Sequence, residues 1–405
     1  MIKICLITQS TYPVPAVKGG AVEGLIEVLL DQNEKYNKLE ITVPSIYCEE
    51  AKKIAKKYNS SNIIFLKYGN LIDKIQEKKI FVYINRIWMK MHGIPLLNRY
   101  YVKRICKKID LSIFDAVIVE GGGNIYDYKE LYKKVEHNKL WVHMHADIPG
   151  DKSFKKMFSK YICVSNYVAR VLLMNGHINR NNVYVLPNCA DILAFSEKKE
   201  YNRAEFRKNI NIANDDFVFV FWGRLLPEKG VLDLVRAFDK LSKKYSNIKL
   251  LIIGNPNFGY QVDTEYMFNV KEVINKSSLS DKIIFTGFVK HDELWKYVRS
   301  SDTAVIPSVW NDAAPLVVFE SFASEIPLIT TRVGGVGEVA NESNCIIIDW
   351  EIDFEGQLYE AMERAILEPE ELKKLAKKAY KDVQKYSLDN YYDNFYNIIE
   401  QGIKQ

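Results

Sequence analysis

Arg224 and Lys229 stand five residues apart in the run Phe221-Trp222-Gly223-Arg224-Leu225-Leu226-Pro227-Glu228-Lys229-Gly230. An apolar run, Phe217–Phe221, precedes them and a helical pattern follows. Loops leaving the ends of parallel strands are where open α/β sheets bind ligands. Two cations on one such loop suit a diphosphate, because arginine offers a planar fork of donors and lysine a point charge. The plainer alternative is a glycine turn with solvated charges. A second run, Pro307-Ser308-Val309-Trp310-Asn311-Asp312-Ala313-Ala314-Pro315-Leu316-Val317-Val318-Phe319-Glu320, follows the apolar Thr303–Ile306. Its acids, Asp312 and Glu320, are eight residues apart. Asp312 is placed in a loop, and Glu320 about two turns into the helix beyond it, on the same side. A loop carboxylate can accept hydrogen bonds from sugar hydroxyls, and a helix carboxylate can clamp two ribose hydroxyls. The amides of Leu316 and Val317 open the helix and would meet phosphate, aided by its dipole. Taken alone, such a pair of acids is more often an exposed surface than a site.

The front half offers imidazoles. Trp141-Val142-His143-Met144-His145-Ala146-Asp147 ends a strand, and alternation puts His143 and His145 on one face. A metal on this His-x-His would need a third ligand, and none is near in sequence. Hydrogen-bonded structural histidines are the alternative. His92, His137, His177 and His291 carry no motif and read as surface residues. Glu120-Gly121-Gly122-Gly123 follows Ala116–Val119, a glycine-rich turn able to line a cleft. It is neither a G-x-G-x-x-G fingerprint nor a P-loop. Residues 78–109 contain no acid, and Lys78, Lys79, Arg86, Lys90, Arg99, Lys103, Arg104, Lys107 and Lys108 alternate with aromatic and apolar residues. That mixture suits an anionic membrane surface or a lipid diphosphate. A core helix with a basic solvent face would look the same. No nucleic-acid motif accompanies it, so no nucleic-acid partner is expected.

Strands and helices must alternate to position these groups. In the front half the strand-like runs are Ile2–Thr8, Leu39–Val43, Ile63–Leu66, Ala116–Val119, Leu140–His143, Tyr161–Val164 and Val183–Leu186. In the back half they are Phe217–Phe221, Lys249–Ile253, Lys282–Phe285, Thr303–Ile306, Leu328–Thr330 and Cys345–Ile348. Such alternation means an α/β fold with parallel sheets, and the number of strands favours two sheets over one. A boundary falls near Pro187–Asp191 and the charged stretch Glu197–Arg207. Tyr391, Tyr392, Phe395, Tyr396 and Ile399 recur at helical spacing, so the final stretch should pack on something.

Composition sets the bounds. A chain of 405 residues, 48% apolar and 26% charged, is an ordinary globular protein of two or three domains. The apolar run at the N-terminus is too short for a secretory signal, and no window of roughly 18 apolar residues exists for a membrane span. The six cysteines form no C-x-x-C pair, which favours a reducing compartment over zinc or disulfides. The cytoplasm is therefore expected, with peripheral contact on the inner face of the membrane through residues 78–109. The net charge of +5 is uneven: residues 1–195 carry 29 basic and 18 acidic side chains, a surplus of eleven, so the remainder is acidic by six. Two domains with different partners, or simply two different solvated surfaces, would give this.

The motifs together resemble the GT4 family of retaining glycosyltransferases, nearest its bacterial polysaccharide and spore-coat type members. The resemblance runs through Gly19-Gly20-Ala21-Val22-Glu23, Val164-Ser165-Asn166, Pro187-Asn188 with Asp191, Gly223-Arg224 with Lys229-Gly230, Phe285-Thr286-Gly287-Phe288-Val289, Pro307-Ser308, Asp312 with Glu320, and Gly334-Gly335-Val336-Gly337-Glu338. It implies the GT-B fold: two Rossmann-like domains with parallel sheets facing across a cleft, and a C-terminal helix crossing back to the first domain. Residues 1–190 would bind the acceptor, residues 191–385 the nucleotide-sugar, and residues 386–405 would form the returning helix.

By position, the resemblance makes Arg224 and Lys229 the holders of the donor diphosphate, beside Gly223. Glu320 would bind ribose, and Asp312 would face the transferred sugar. Phe288 and Val289 would meet the base through their backbone, Gly19 and Gly20 would lie near the phosphates, and His145 would face the donor sugar. Asp312 is one methylene shorter than the family's glutamate, and Pro315 replaces a common glycine and removes one amide donor.

The expected activity is retaining and metal-independent. A sugar would pass from a UDP-sugar such as UDP-GlcNAc, UDP-Glc or UDP-Gal to a saccharide acceptor, lipid-linked, in cell-surface polysaccharide synthesis. No cofactor is implied, since the nucleotide-sugar is a substrate, and no Asp-x-Asp metal signature occurs. The alternatives are a GDP-sugar mannosyltransferase, an epimerase on the same fold, or a non-catalytic carbohydrate- or membrane-binding scaffold.

Overall fold

The structure, a computed structural model, describes residues 1–9, 11–67, 84, 88, 100–121, 128–196, 201–256 and 264–405. The chain divides into two compact units. Met1–Pro187 joins Tyr391–Gln405 in the first, and Asn188–Asn390 forms the second.

The first unit holds seven strands: β1 (Ile2–Ile7), β2 (Leu39–Ile46), β3 (Ser61–Leu66), β4 (Ala116–Gly121), β5 (Leu140–Met144), β6 (Lys160–Cys163) and β7 (Val183–Val185). Their order is β3-β2-β1-β4-β5-β6-β7, and every pairing is parallel. The second unit holds β8 (Phe217–Trp222), β9 (Ile248–Ile253), β10 (Ile283–Gly287), β11 (Thr303–Ile306), β12 (Leu328–Thr331) and β13 (Ile346–Ile348). Their order is β10-β9-β8-β11-β12-β13, again parallel throughout. All the expected strands are present. Helices cover both faces of a parallel sheet, so its strands are apolar along their whole length. Ile4, Ile7, Val117, Val119, Val218 and Val220 are completely buried on this account.

Both sheets are Rossmann-like, and each has one place where strand order reverses. It lies between β1 and β4 in the first unit and between β8 and β11 in the second. The loops beyond those strand ends part there and leave a crevice.

The last helix, Leu388–Lys404, supplies core to the first unit. Tyr391, Tyr392, Phe395 and Ile399 are buried along one side. The Tyr392 hydroxyl donates to Asn33 Oδ1, and Asn33 Nδ2 in turn donates 2.9 Å to the Leu39 carbonyl at the start of β2. Gly402 lies against the indole of Trp141 on β5, where an added Cβ would come 2.3 Å from the ring.

Most of the basic stretch 78–109 lies outside the described residues. Within it, the helix Tyr100–Lys108 buries Tyr101, Val102 and Ile105 and turns Lys103, Lys107 and Lys108 to solvent, so this part is a core helix with a basic outer face. Among the described residues no helix is long and apolar enough to cross a membrane.

Phe395 is fully buried, so Phe395→Ala should cost about 3–5 kcal/mol. Tyr392→Phe, which loses the bond to Asn33 and the 3.3 Å bond accepted from the Lys38 amide, should cost about 1–2 kcal/mol. Urea denaturation followed by tryptophan fluorescence measures both, and an unaltered midpoint in Phe395→Ala would show that the helix is not part of the core.

Candidate active site

Three loops beyond the strand ends of the second unit are knitted together. Gly230 is left-handed at φ 67°, and a Cβ there would come 2.1 Å from the Pro307 carbonyl oxygen. Gly334 is left-handed at φ 56° and lies as close to the Asp312 carbonyl, 2.2 Å from its own missing Cβ. Only glycine meets both demands. The Gly335 amide donates 2.7 Å to the Asp312 carbonyl, the Gly334 amide 3.0 Å to Asn311 Oδ1, and the Val309 amide 3.0 Å to the Glu228 carbonyl. Asn188 Nδ2 donates 2.7 Å to the Ala314 carbonyl.

On this frame Lys229 and Asp312 form an ion pair, each about one-fifth exposed. The structure thus joins one of the two candidate cations to one of the two candidate acids. Arg224 follows Gly223 beyond β8 and is exposed, with no ion pair among the described residues. Phe288 and Val289 follow β10, the first 38% exposed and the second partly buried against the core. Pro315 caps the helix Leu316–Ala323, whose first amides, at Leu316 and Val317, have no place in the helical ladder.

Glu320 is the fifth residue of this helix, one turn in and not two as expected, since from the expected start at Leu316 four residues span only about one turn. It is 5% exposed. Trp222 Nε1 donates 2.7 Å to its Oε2, and His291 Nε2 lies 2.8 Å from its Oε1. These two donors offset the burial of the carboxylate. His291 was expected to be a surface residue without a role. It is indeed exposed, but its ring is fastened to the candidate ribose carboxylate. Desolvation opposes its charge, yet the hydrogen bond and charge of Glu320, with Asp191 and Asp292, hold its pKa above the ordinary histidine value. Neither Trp222 nor His291 carried a sequence signal beyond its place at the end of β8 and after the Phe285–Val289 motif.

In the first unit Gly19 and Gly20 lead into the helix Ala21–Tyr36, with Gly20 at its N-cap. The Glu23 side chain folds back over Gly20 and is 4% exposed. Burial pushes its carboxyl up to about 7, and the charge of Glu120 adds to the shift. Glu120, near the end of β4, is paired in register with His143 on β5. Its Oε2 meets His143 Nδ1 at 3.0 Å and His145 Nε2 at 2.9 Å. Burial alone would favour the neutral acid, but the charges and hydrogen bonds of both imidazoles bring its pKa down to about 2. Burial and the neighbouring His143 lower the pKa of His145.

Glu120 is the third group that the His-x-His run lacked in sequence. The ligand atoms of the three side chains lie within 4.8 Å of one another. The surroundings suit a metal poorly. Among the described residues, His143 Nε2 and Glu120 Oε1 are buried with no hydrogen-bond partner, whereas a metal-bound imidazole needs an acceptor for its outer N–H. The group is better described as one carboxylate orienting two histidines. An ionised Glu120 requires an N–H on both facing nitrogens, which leaves His145 Nδ1 as a bare acceptor.

Two parallel Rossmann-like sheets, of seven and six strands, with the C-terminal helix returned to the first unit, are the GT-B fold. Residues 202–382 match the family described as Glycosyl transferases group 1. The chain is similar to the Bacillus subtilis (strain 168) protein YtcC, named as a glycosyltransferase, at 24% identity over 95% of this chain and 88% of that one. It is similar to Spore coat protein SA of the same organism at 22% identity over 86% of each chain. Among solved structures, Anabaena Alr3699/HepE in complex with UDP and glucose superposes with a TM-score of 0.74 at 14% identity, over 99% of this chain and 100% of that one. The family match falls within the second unit, and along most of its length the chain is similar to GT4-type glycosyltransferases.

Glu23 keeps its proton up to about pH 7 in the folded chain and loses it near 4.5 when unfolded. Its contribution to stability is therefore full below the lower value and lost as pH rises through the upper one. Glu23→Gln should flatten the fall in Tm between about pH 5 and pH 8, measured by scanning calorimetry. Parallel curves for the two proteins would rule out this titration.

Proposed function

We propose that the chain is a retaining, metal-independent glycosyltransferase acting on a nucleotide diphosphate sugar. The observation that carries the reading is the second unit's loop cluster. Arg224, Lys229 and the first amides of the helix Leu316–Ala323 gather positive potential beside a buried carboxylate, Glu320, at the point where strand order reverses. A diphosphate leaving group needs such donors as its charge develops, and here they are protein groups. The Lys229–Asp312 pair keeps the lysine in place, with Asp312 turned toward the transferred sugar. Glu320 binds the ribose hydroxyls. Phe288 and Val289 border the base. In the first unit, His145 Nδ1 accepts a hydrogen bond from a sugar hydroxyl, and Gly19 and Gly20 allow close approach of the backbone. Retention follows if the leaving phosphate takes the acceptor's proton on the face it departs from.

A UDP-sugar is the favoured donor. The solved relative named above holds UDP and glucose. An Escherichia coli relative, 24% identical over 207 residues that make up 51% of this chain and 48% of that one, is named UDP-Gal:alpha-D-GlcNAc-diphosphoundecaprenol alpha-1,3-galactosyltransferase. That name supports a lipid-linked saccharide acceptor, reached at the inner face of the membrane.

Lys229→Ala or Arg224→Ala should lower transfer by about a hundredfold or more with the fold intact. Turnover unchanged in either variant would remove the phosphate assignment. Isothermal calorimetry with UDP and GDP, with and without Mg²⁺, tests the donor directly. Metal-independent binding of UDP is expected, and binding of neither nucleotide would leave a non-catalytic scaffold as the better reading.

A further inference from the structure

We infer that His291 and Trp222 are positioning residues for the nucleotide, holding the Glu320 carboxylate so that one lone pair on each oxygen faces the ribose. The inference rests on the donor reading above and concerns how that site is built.

A carboxylate has two oxygens and about four acceptor positions. In this chain each oxygen already receives one protein donor: Trp222 Nε1 at 2.7 Å on Oε2, and His291 Nε2 at 2.8 Å on Oε1. One position per oxygen remains, which is what two adjacent hydroxyls require. The three side chains come from separate elements: Trp222 ends β8, His291 opens the helix His291–Arg299, and Glu320 lies inside Leu316–Ala323. Together they fix the carboxylate on both sides. Glu320 is nearly buried, so losing either donor would leave one oxygen without its protein partner and free the carboxylate to turn away from the ribose.

His291 is not explained by the stability of its own helix. It occupies the first helical position, where a positive charge opposes the dipole. Its ring is instead held by Glu320 and by the edge of Phe195, with centroids 5.8 Å apart. The charged groups facing it are Glu320, Asp191 on the segment before Phe195, and Asp292 on its own helix. All are acids, so the ring is retained as a charged donor to a higher pH than an ordinary histidine.

The test compares UDP with 2′,3′-dideoxy-UDP on the full chain by calorimetry. The native protein should prefer UDP. His291→Ala should reduce UDP affinity about three- to tenfold while leaving the dideoxy analogue nearly unchanged. His291→Gln, which keeps a neutral donor, should fall between. The native preference should weaken as pH rises through the His291 titration, and that slope should vanish in His291→Gln. Equal losses for both nucleotides, or no loss for either, would overturn the inference, since a merely structural role does not depend on the ribose hydroxyls. Trp222→Phe repeats the comparison from the other oxygen. Native protein that binds UDP and the analogue equally would refute the ribose role of Glu320 itself, and native protein that binds no nucleotide would refute the donor reading.

Discussion

Parallel strands cannot be joined by a tight turn, so every strand of both sheets is reached by a crossover. When successive crossovers change direction, two neighbouring strands send their following loops to opposite sides. In the second unit this happens between β8 and β11. The loop with Arg224 and Lys229 leaves one of those strands, and the loop with Asp312 leaves the other. Their meeting is thus a consequence of chain topology. The contacts Gly230–Pro307 and Gly334–Asp312 then bring the loop backbones closer than any side chain would allow.

Buried charge in this protein is handled in two ways. Arg207, 1% exposed, is engaged at every nitrogen: its Nε donates to the Ser300 carbonyl, Nη1 to the Ala213, Asn214 and Asp216 carbonyls, and Nη2 to Asp302. All of these partners are protein groups, and its work is structural. Glu320 and Glu120 are treated otherwise. Each is stabilised by two N–H donors, yet acceptor capacity remains on the group or on its partner, as at His145 Nδ1. Burial with incomplete saturation separates these two carboxylates, which the proposed site would use, from the structural ion pair.

Strand positions were legible because a strand buried on both faces is a continuous apolar run, as in Phe217–Trp222. The returning helix was legible because Tyr392, Phe395 and Ile399 keep one helical face. Arg224 with Lys229 and Asp312 with Glu320 were legible as local spacings. Glu120 was not seen as the partner of His143 and His145, because strand register is absent from local sequence. His291 was missed for a similar reason. It lies 29 residues before Glu320, and only the packing of two helices brings them together. Glu320 was placed a turn too deep although the start of its helix at Leu316 was legible, because four residues advance an α-helix by only about one turn.

The first unit is made of two pieces of chain, with all of Asn188–Asn390 between them. On a ribosome, Met1–Pro187 emerges well before Phe395 and Ile399, which complete its interior. At about 5–20 residues per second the delay is roughly 10–40 s. Throughout that interval the nascent first unit presents an apolar gap where the last helix will lie, beside Trp141 and Asn33. Its own folding therefore finishes late in translation, after the second unit has had time to form, and a partly made chain holds no complete first unit.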